Sequence, residues 1–321
     1  MGISVMIVIA FLVDAAIGDP RRATHPVVLM GRAIESLERA LRPRRADPGR
    51  ERFMGAVLAA AIVGGTYVVS RMLLAAVRHI CPCAGDVLEI WMLSTALAAR
   101  GLCDGAMQVR SPLLDGDLPA AKASLSMIVG RDTENLGEEE VVRATVETVA
   151  ENTSDGVIAP LLFGLIGGAP LALAYKAVNT LDSMVGYKDE RYADFGRASA
   201  KLDDIASFIP ARIAGLFLVA AAGVAGQDCG GAWRIMLRDQ RAHPSPNSGV
   251  GEAAVAGALG VQLGGANTYE GKISVRPHIG DDLEVLRPRH IEESVYLMYW
   301  ASVMAMVAGA ALRTIFDGVG V

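Results

Sequence analysis

Apolar residues fall in blocks along this chain, and polar residues gather between them. Residues 2–17 form the first block, a candidate membrane helix that is short against the roughly 20 residues a span needs. A breaker-rich turn follows, G-D-P-R-R-A-T-H-P, and 31–41 then reads as an amphipathic helix with Ile34, Leu37 and Leu41 on one face. Residues 42–52 are a basic loop, and 54–77 make the cleanest membrane span, with Gly64 and Gly65 expected at a helix contact. Residues 86–100 read as a further membrane helix or, because Glu89 interrupts them, as a buried amphipathic one. In the polar stretch that follows, 118–127 and 138–150 are helices. Val141, Val142, Val146 and Val149 share one face of the second, and Glu147 and Glu151, four apart, share another.

Residues 157–178 are apolar but broken by G-G-A-P at 167–170. Each half is about nine residues, too short to cross, so the segment is a kinked helix or a re-entrant hairpin around a buried or cavity-lining break. Residues 205–224 are another span, interrupted at Pro210 and Arg212. A long polar loop, 226–293, carries a small-residue helix at 252–263, and 294–312 are the last membrane helix. The pattern is that of an all-α, polytopic helical membrane protein: a single integral membrane domain over 1–321, with broken or re-entrant segments and polar helical loops.

Composition agrees. The chain has 321 residues, 52% hydrophobic and 20% charged, where soluble domains run near 45–50% and about 25%. Mean hydropathy is +0.36. Basic residues crowd 21–52, which makes that loop cytoplasmic and the protein a multi-pass resident of the cell membrane. The first residues lack a basic leader and carry Asp14, which favours a retained first helix over a cleaved signal. A net charge of −5 gives no footprint for nucleic acid. Cys81 and Cys83 are one residue short of the C-x-x-C spacing, so with Cys103 and Cys229 they argue for neither a disulfide framework nor zinc. No G-x-S-x-G, H-E-x-x-H, phosphate-loop or dinucleotide fingerprint occurs.

Three constellations carry candidate chemistry. The first is acidic: Glu147, Glu151, Asp155, Asp182, Asp189, Asp194, Asp203 and Asp204. Magnesium takes hard oxygen ligands, usually one or two carboxylates plus phosphates and water; the bland alternative is a solvated acidic surface. The second is basic: Arg131, Lys176, Lys188, Arg191, Arg212, Arg241 and His243, side chains that clamp phosphate or carboxylate oxygens. Lys176 has apolar neighbours, so either Asp182 or a ligand answers it. The third is R-D-Q-R-A-H-P-S-P-N-S-G-V-G-E-A, a stiff loop in which Asn247 or Ser248 caps the helix that follows. Helix N-termini receive anions. His25, before Pro26, reads as a structural group rather than a catalyst. If every apolar segment crosses, 179–204 falls on the far side from 150–156 and 239–249, although these stretches look like parts of one site; a re-entrant segment resolves that conflict.

The motifs G-D-P-R-R-A-T-H-P-V, V-G-R-D-T, V-E-T-V-A-E-N-T-S-D-G-V-I-A-P, Y-K-A-V-N-T-L-D-S-M-V-G-Y-K, Y-A-D-F-G, I-P-A-R and H-P-S-P-N-S-G, in this order across residues 14–280, resemble the adenosylcobinamide-phosphate synthase family of cobalamin biosynthesis. The resemblance implies an integral membrane ligase. It would join the free carboxyl of adenosylcobyric acid to the amine of (R)-1-amino-2-propanol O-phosphate or a related amino alcohol, driven by ATP with magnesium, with the corrinoid as substrate. On this reading Asp182, Lys176, Glu151 and Asp155 are catalytic. Asp155, Asp182, Asp203 and Asp204 hold the metal. Arg131, Lys188 and Arg212, with Lys176, neutralise nucleotide or acyl-phosphate charge, while Arg241, His243, Ser245 and Asn247 bind a phosphate. Asn152 and Asn179 orient substrate. The expected partners are the two substrates and the lipid bilayer, and a homo-oligomer is left open. A transporter or sensor of a corrinoid or other amphiphile is the competing class. A distant similarity to a membrane protein linked to β-lactamase regulation offers a further non-enzymatic alternative, and a bare scaffold explains the spans but not the polar motifs within them.

Overall fold

The structure, a computed structural model, describes residues 1–18, 25–42, 47–187, 189–269 and 271–319. Most of it is helical, and the chain packs as two compact units, 1–98 with 159–207 and 308–321, and 99–158 with 208–307. Three helical runs, Pro48–Ile80, Glu138–Val185 and Pro288–Gly318, are long and apolar enough to cross a membrane; there are four if the pair flanking Ser207 counts as one span.

The first unit holds α1 (Ile3–Ile17), α2 (Pro26–Leu41), α3 (Pro48–Ile80), α4 (Pro82–Ala96), α8 (Ala159–Val185) and α9 (Arg197–Ala206). Helix α2 begins earlier than its amphipathic pattern suggests, because Pro26 suits a first turn and His25 Nδ1 accepts the Val27 N–H at 3.3 Å. That is the structural role expected of His25. The 33 residues of α3 measure about 50 Å, well beyond a hydrocarbon core of about 30 Å. Its tight contact is not at Gly64 and Gly65, where an added Cβ meets nothing within 4 Å, but at Gly55, where it would reach within 1.8 Å of the Phe195 carbonyl oxygen. The segment expected at 86–100 is in fact divided between two helices: α4 stops at Ala96 and the next helix starts at Ala99.

Helix α8 breaks where the sequence says it should. Gly167 (φ −135°) and Gly168 (φ +68°, ψ −166°) leave helical geometry, and Pro170 lies just beyond. The broken backbone is answered by Glu89 of α4, 4% exposed, whose Oε1 accepts the Ala169 N–H at 3.3 Å while Oε2 pairs with Arg78. Gly168 is required twice: its φ suits glycine, and a Cβ there would sit 2.4 Å from Glu89 Oε1.

The second unit holds α5 (Ala99–Leu114), α6 (Leu118–Leu125), α7 (Glu138–Asn152), a π-helical turn (Thr153–Ile158), α10 (Phe208–Val224), α11 (Cys229–Asp239), α12 (Ser248–Leu259), strands β1 (Leu263–Tyr269) and β2 (Lys272–Ile279), and the first part of α13 (Pro288–Val319). All residues of α12 are buried. Small residues permit this, since a Cβ on Gly251 would lie 2.7 Å from the Ala150 carbonyl oxygen and one on Gly257 2.4 Å from that of Gly231. Two expectations need correction. The helix break falls at Ser207 rather than at Pro210, which occupies the first turn of α10, where a missing N–H costs nothing. The supposed loop 226–293 contains α11, α12 starting at Ser248 rather than 252, and an antiparallel hairpin pairing Gly265 with Arg276, with an irregularity between Leu263 and Gly265.

Candidate active site

The site is built on the end of α7. At its start the Glu140 carboxylate accepts the Gly137 N–H at 2.7 Å, and every residue from Val141 to Ala150 is buried. Glu147 and Glu151 project one turn apart. The helix then widens into the π-helical turn over T-S-D-G-V-I, a geometry that recurs at functional sites. Asn152 Nδ2 donates to the Thr148 carbonyl at 3.0 Å and Thr153 Oγ1 to that of Val149 at 2.7 Å, which ties the turn to the helix before it.

Glu147, 3% exposed, is held from three directions. Arg131 pairs with Oε2; the Gly264 N–H donates to Oε1 at 2.8 Å; Arg143 Nη1 stands 3.5 Å from Oε1. Asn267 on β1 gathers the same arginines, its Oδ1 accepting from Arg131 Nη1 at 2.6 Å and Arg143 Nη2 at 3.4 Å. The bulged start of the hairpin therefore presents a backbone donor and an amide acceptor to a charge pair on α7. Burial opposes the charge of Arg131, but the Glu147 carboxylate outweighs it and raises the guanidinium above its ordinary range.

A second layer centres on His243. The Ser245 N–H donates to Nδ1 at 2.9 Å, Arg276 Nη1 lies 2.8 Å from Nε2, and Glu252 Oε1 lies 3.6 Å from the same nitrogen. A neutral imidazole accepts on one nitrogen only, so these two donors compete for it. Burial, and then the Arg276 guanidinium, push His243 below its usual value. Glu252, 2% exposed within α12, is pushed well above the carboxylate range by burial and then by Glu147 and Glu151. The two shifts run toward neutrality from opposite sides: the ring is held toward its neutral form and the facing carboxyl toward its protonated one. Ser248 Oγ donates to Glu151 Oε1 at 2.8 Å, and Arg276 Nη2 to Tyr269 Oη at 2.9 Å.

Beyond His243 opens a cavity of about 480 Å³ between Phe208, Arg212, Arg241 and the two prolines of H-P-S-P. Arg212 is fixed in it: its guanidinium lies 3.6 Å over the Phe208 ring and donates to Asn247 Oδ1 at 2.8 Å, Phe208 O at 2.9 Å and Pro246 O at 3.0 Å. Arg241 has no hydrogen bond or ion pair among the described residues. The loop's cap is Ser245, whose Oγ accepts the N–H groups of Asn247 and Ser248 at 3.3 Å each, rather than the side chain of Asn247 or Ser248. One oriented arginine, one uncommitted arginine and an imidazole make a pocket suited to phosphate oxygens.

The second unit brings together Arg131, Glu151, Asn152, Asp155, Arg212, Arg241, His243, Ser245 and Asn247. Lys176, Asn179 and Asp182 lie on α8 and Asp203 and Asp204 on α9, all in the first unit; Lys188 lies outside the described residues. No group of three or more His, Cys, Asp or Glu side chains arranged for a metal occurs among the described residues, and the four cysteines are free. Sequence reasoning missed Arg143, Glu252, Asn267 and Arg276. Glu252 had a signal, being the single charge in a helix of glycine, alanine and valine. Asn267 and Arg276 lie on a hairpin that carries little strand signal in the sequence, and Arg143 of α7 is marked only by its contacts with that hairpin.

A model of the CobD/CbiB protein family matches residues 7–298. The cobalamin biosynthesis protein CobD of Geobacter metallireducens is 53% identical over 310 residues, covering 97% of this chain and 96% of that protein. CobD of Citrobacter koseri is 48% identical over 97% of each chain, and CbiB of Salmonella typhimurium is 46% identical over 97% of this chain and 98% of its own. No solved structure matches. With motifs, helical architecture and near-complete coverage in agreement, the chain belongs to the CobD/CbiB family of cobalamin biosynthesis, the adenosylcobinamide-phosphate synthase family.

Proposed function

We propose that the chain is a multi-pass enzyme of the cell membrane that joins the free propionate carboxyl of adenosylcobyric acid to the amine of (R)-1-amino-2-propanol O-phosphate or a close relative. The reading rests on membership of the family together with one observation: the cavity lined by Arg212, Arg241 and His243, backed by the buried Glu147 and Glu252 and the half-buried Glu151. A carboxylate is a poor acyl donor because its oxygen leaves badly. Transfer of a γ-phosphoryl group from ATP makes an acyl phosphate with release of ADP, and attack by the amine then forms the amide and expels phosphate. Such chemistry asks the protein for positioning and charge neutralisation.

Arg212 and Arg241 would hold the phosphate of the amino alcohol. The ammonium must shed a proton before it can attack; neutral His243 and the Glu151 carboxylate are the groups here that can take it. Magnesium arriving with a nucleotide usually needs one or two protein carboxylates. Glu151, which has one oxygen on Ser248 and no further hydrogen bond among the described residues, suits that need, with Asp155 in the adjoining turn. The chemistry it would supply there is neutralisation of phosphoryl oxygens. Asp182, Lys176 and Asn179, with Asp203 and Asp204, remain the proposed contribution of the first unit.

Membranes containing the chain, incubated with adenosylcobyric acid, the amino alcohol phosphate, ATP and magnesium, should yield the amide, identified by mass. Without ATP the yield should vanish. Absence of amide with all components present and the chain inserted would overturn the reading in favour of a corrinoid transporter or sensor.

A further inference from the structure

The break in α8 opens a second cavity, of about 450 Å³, wholly within the first unit. Its charged lining is Arg71 and Arg78 of α3, Arg313 of α13, and Glu89. The proposed amide chemistry uses none of these residues. Arg71 and Arg78 lie two turns apart on one stripe of α3, with Leu74 and Ala75 between them also facing the cavity. Arg78 is committed to Glu89, with Asp86 3.5 Å away, and Arg313 Nε lies 3.0 Å from Asp317. Arg71 has no hydrogen bond or ion pair among the described residues. The lining therefore carries more guanidinium than carboxylate, and one guanidinium is uncommitted.

The setting of Arg71 points to the kind of anion. Its helix is apolar enough to cross a membrane, and its immediate neighbours Met72 and Leu73 are 67% and 48% exposed. Val68 and Val69, one turn earlier, are exposed too. An arginine in an apolar, outward-facing stretch near the end of a span is where a lipid phosphate meets protein while its acyl chains run along the helix. The other wall is apolar as well: Leu165 and Ile166 precede the break, and Ile166 is 68% exposed. A free phosphate would use the arginines but not these surfaces.

We propose that this cavity binds the phosphodiester headgroup of an anionic phospholipid, with Arg71 as its principal contact and Arg78 and Arg313 beside it. The break at Gly167 and Gly168, fixed by Glu89, gives the headgroup its room. The test uses the full-length chain in detergent with phosphatidylglycerol or phosphatidylcholine, and reads the lipid retained by native mass spectrometry. The wild type should retain phosphatidylglycerol about fivefold more than phosphatidylcholine. Arg71→Gln should remove most of that preference, Arg71→Gln with Arg313→Gln all of it, and Arg71→Lys should keep it. Arg39→Gln, a charge loss on α2, should leave it unchanged. Because Arg71 is exposed and makes no bond among the described residues, the single variant tests the site even if the double variant misfolds. Equal retention of the two lipids by the wild type overturns the proposal, as does an unaltered preference in Arg71→Gln. Displacement of phosphatidylglycerol by millimolar inorganic phosphate also overturns it and assigns the cavity to a soluble anion.

Discussion

Each unit buries a glutamate in apolar surroundings, and the two are used differently. Glu89 and Glu147 are 4% and 3% exposed, and each meets an arginine and a backbone N–H. The N–H on Glu89 comes from a broken helix, and its arginine, Arg78, is 42% exposed and lies on the same helical hairpin. The N–H on Glu147 comes from a bulged strand; its arginines are only 8% and 11% exposed, and Glu252, Glu151 and an imidazole complete the cluster. The first carboxylate stabilises a backbone that would otherwise leave a buried donor unsatisfied. The second belongs to a network with more ionisable groups than any fold requires, next to a cavity. Burial of a charge marks a constraint, and the number and direction of its neighbours say whether the constraint is architectural or chemical.

Removal of Arg131 should separate the two cases most sharply. Arg131→Ala leaves the buried Glu147 with the Gly264 N–H and Arg143, 3.5 Å away, and breaking one partner of a buried pair costs about 3–5 kcal/mol. The melting temperature in detergent should fall and amide formation should cease. A variant that melts within about 1 kcal/mol of wild type would show that solvent already reaches the pair. On the architectural side, Gly168→Ala places a Cβ 2.4 Å from Glu89 Oε1 at φ +68°, ψ −166°, a backbone region essentially confined to glycine that alone costs about 1–3 kcal/mol. It should lower stability without changing the KM for the amino alcohol phosphate. A KM effect in Gly168→Ala would erase the distinction between the two glutamates.

Much of this was legible in the sequence, and the exceptions have physical causes. The break at 167–170 was readable because glycine pairs and proline act locally, and it appears there. The span at 54–77 was readable from apolar content, but its ends were not: charged residues continue the helix to Pro48 and Ile80 outside any apolar window. The hairpin was missed because β1 reads L-G-G-A-N-T-Y, with two glycines where a strand signal expects β-branched residues. The loss spread to the site, since Asn267 and Arg276 are visible as site residues only once β1 and β2 place them against α7 and His243. Conversely, H-P-S-P-N-S-G announced a rigid loop, and Arg212, Arg241 and His243, distant in sequence or separated by a bend, line one cavity beside it.

A smaller effect should follow from the arginine that makes no bond. Arg241→Gln removes a cation from the cavity without leaving a buried partner unanswered, so the fold should be unaffected. One charge-assisted hydrogen bond to phosphate is worth about 1.5–3 kcal/mol, so KM for the amino alcohol phosphate should rise at least about tenfold with kcat less affected. An unphosphorylated amino alcohol should show no such penalty. An equal loss with both amines would place the phosphate elsewhere and reduce Arg241 to surface charge.

The smallest signal is a slope, and its sign follows from the two shifted groups of the chemical cluster. His243 is depressed, so as pH falls through the ordinary imidazole range the unfolded chain takes up a proton that the folded one refuses, and stability declines toward acid. Glu252 is raised, so as pH climbs above the ordinary carboxylate range the unfolded chain releases a proton that the folded one retains, and stability declines toward alkali until the folded value is passed. Each group contributes at most about 1.4 kcal/mol per pH unit. Glu252→Gln copies the protonated carboxyl and cannot titrate. Melts between pH 5 and 9 at fixed salt and detergent should therefore keep the acid-side decline and lose the alkaline one. The contrast between the units has its own control: a Glu89→Gln chain retains Glu252 and should keep the alkaline decline that Glu252→Gln loses. If Glu252→Gln leaves the alkaline slope intact, its proton is shared through His243 and Arg276, and the network titrates as a unit rather than at one carboxyl.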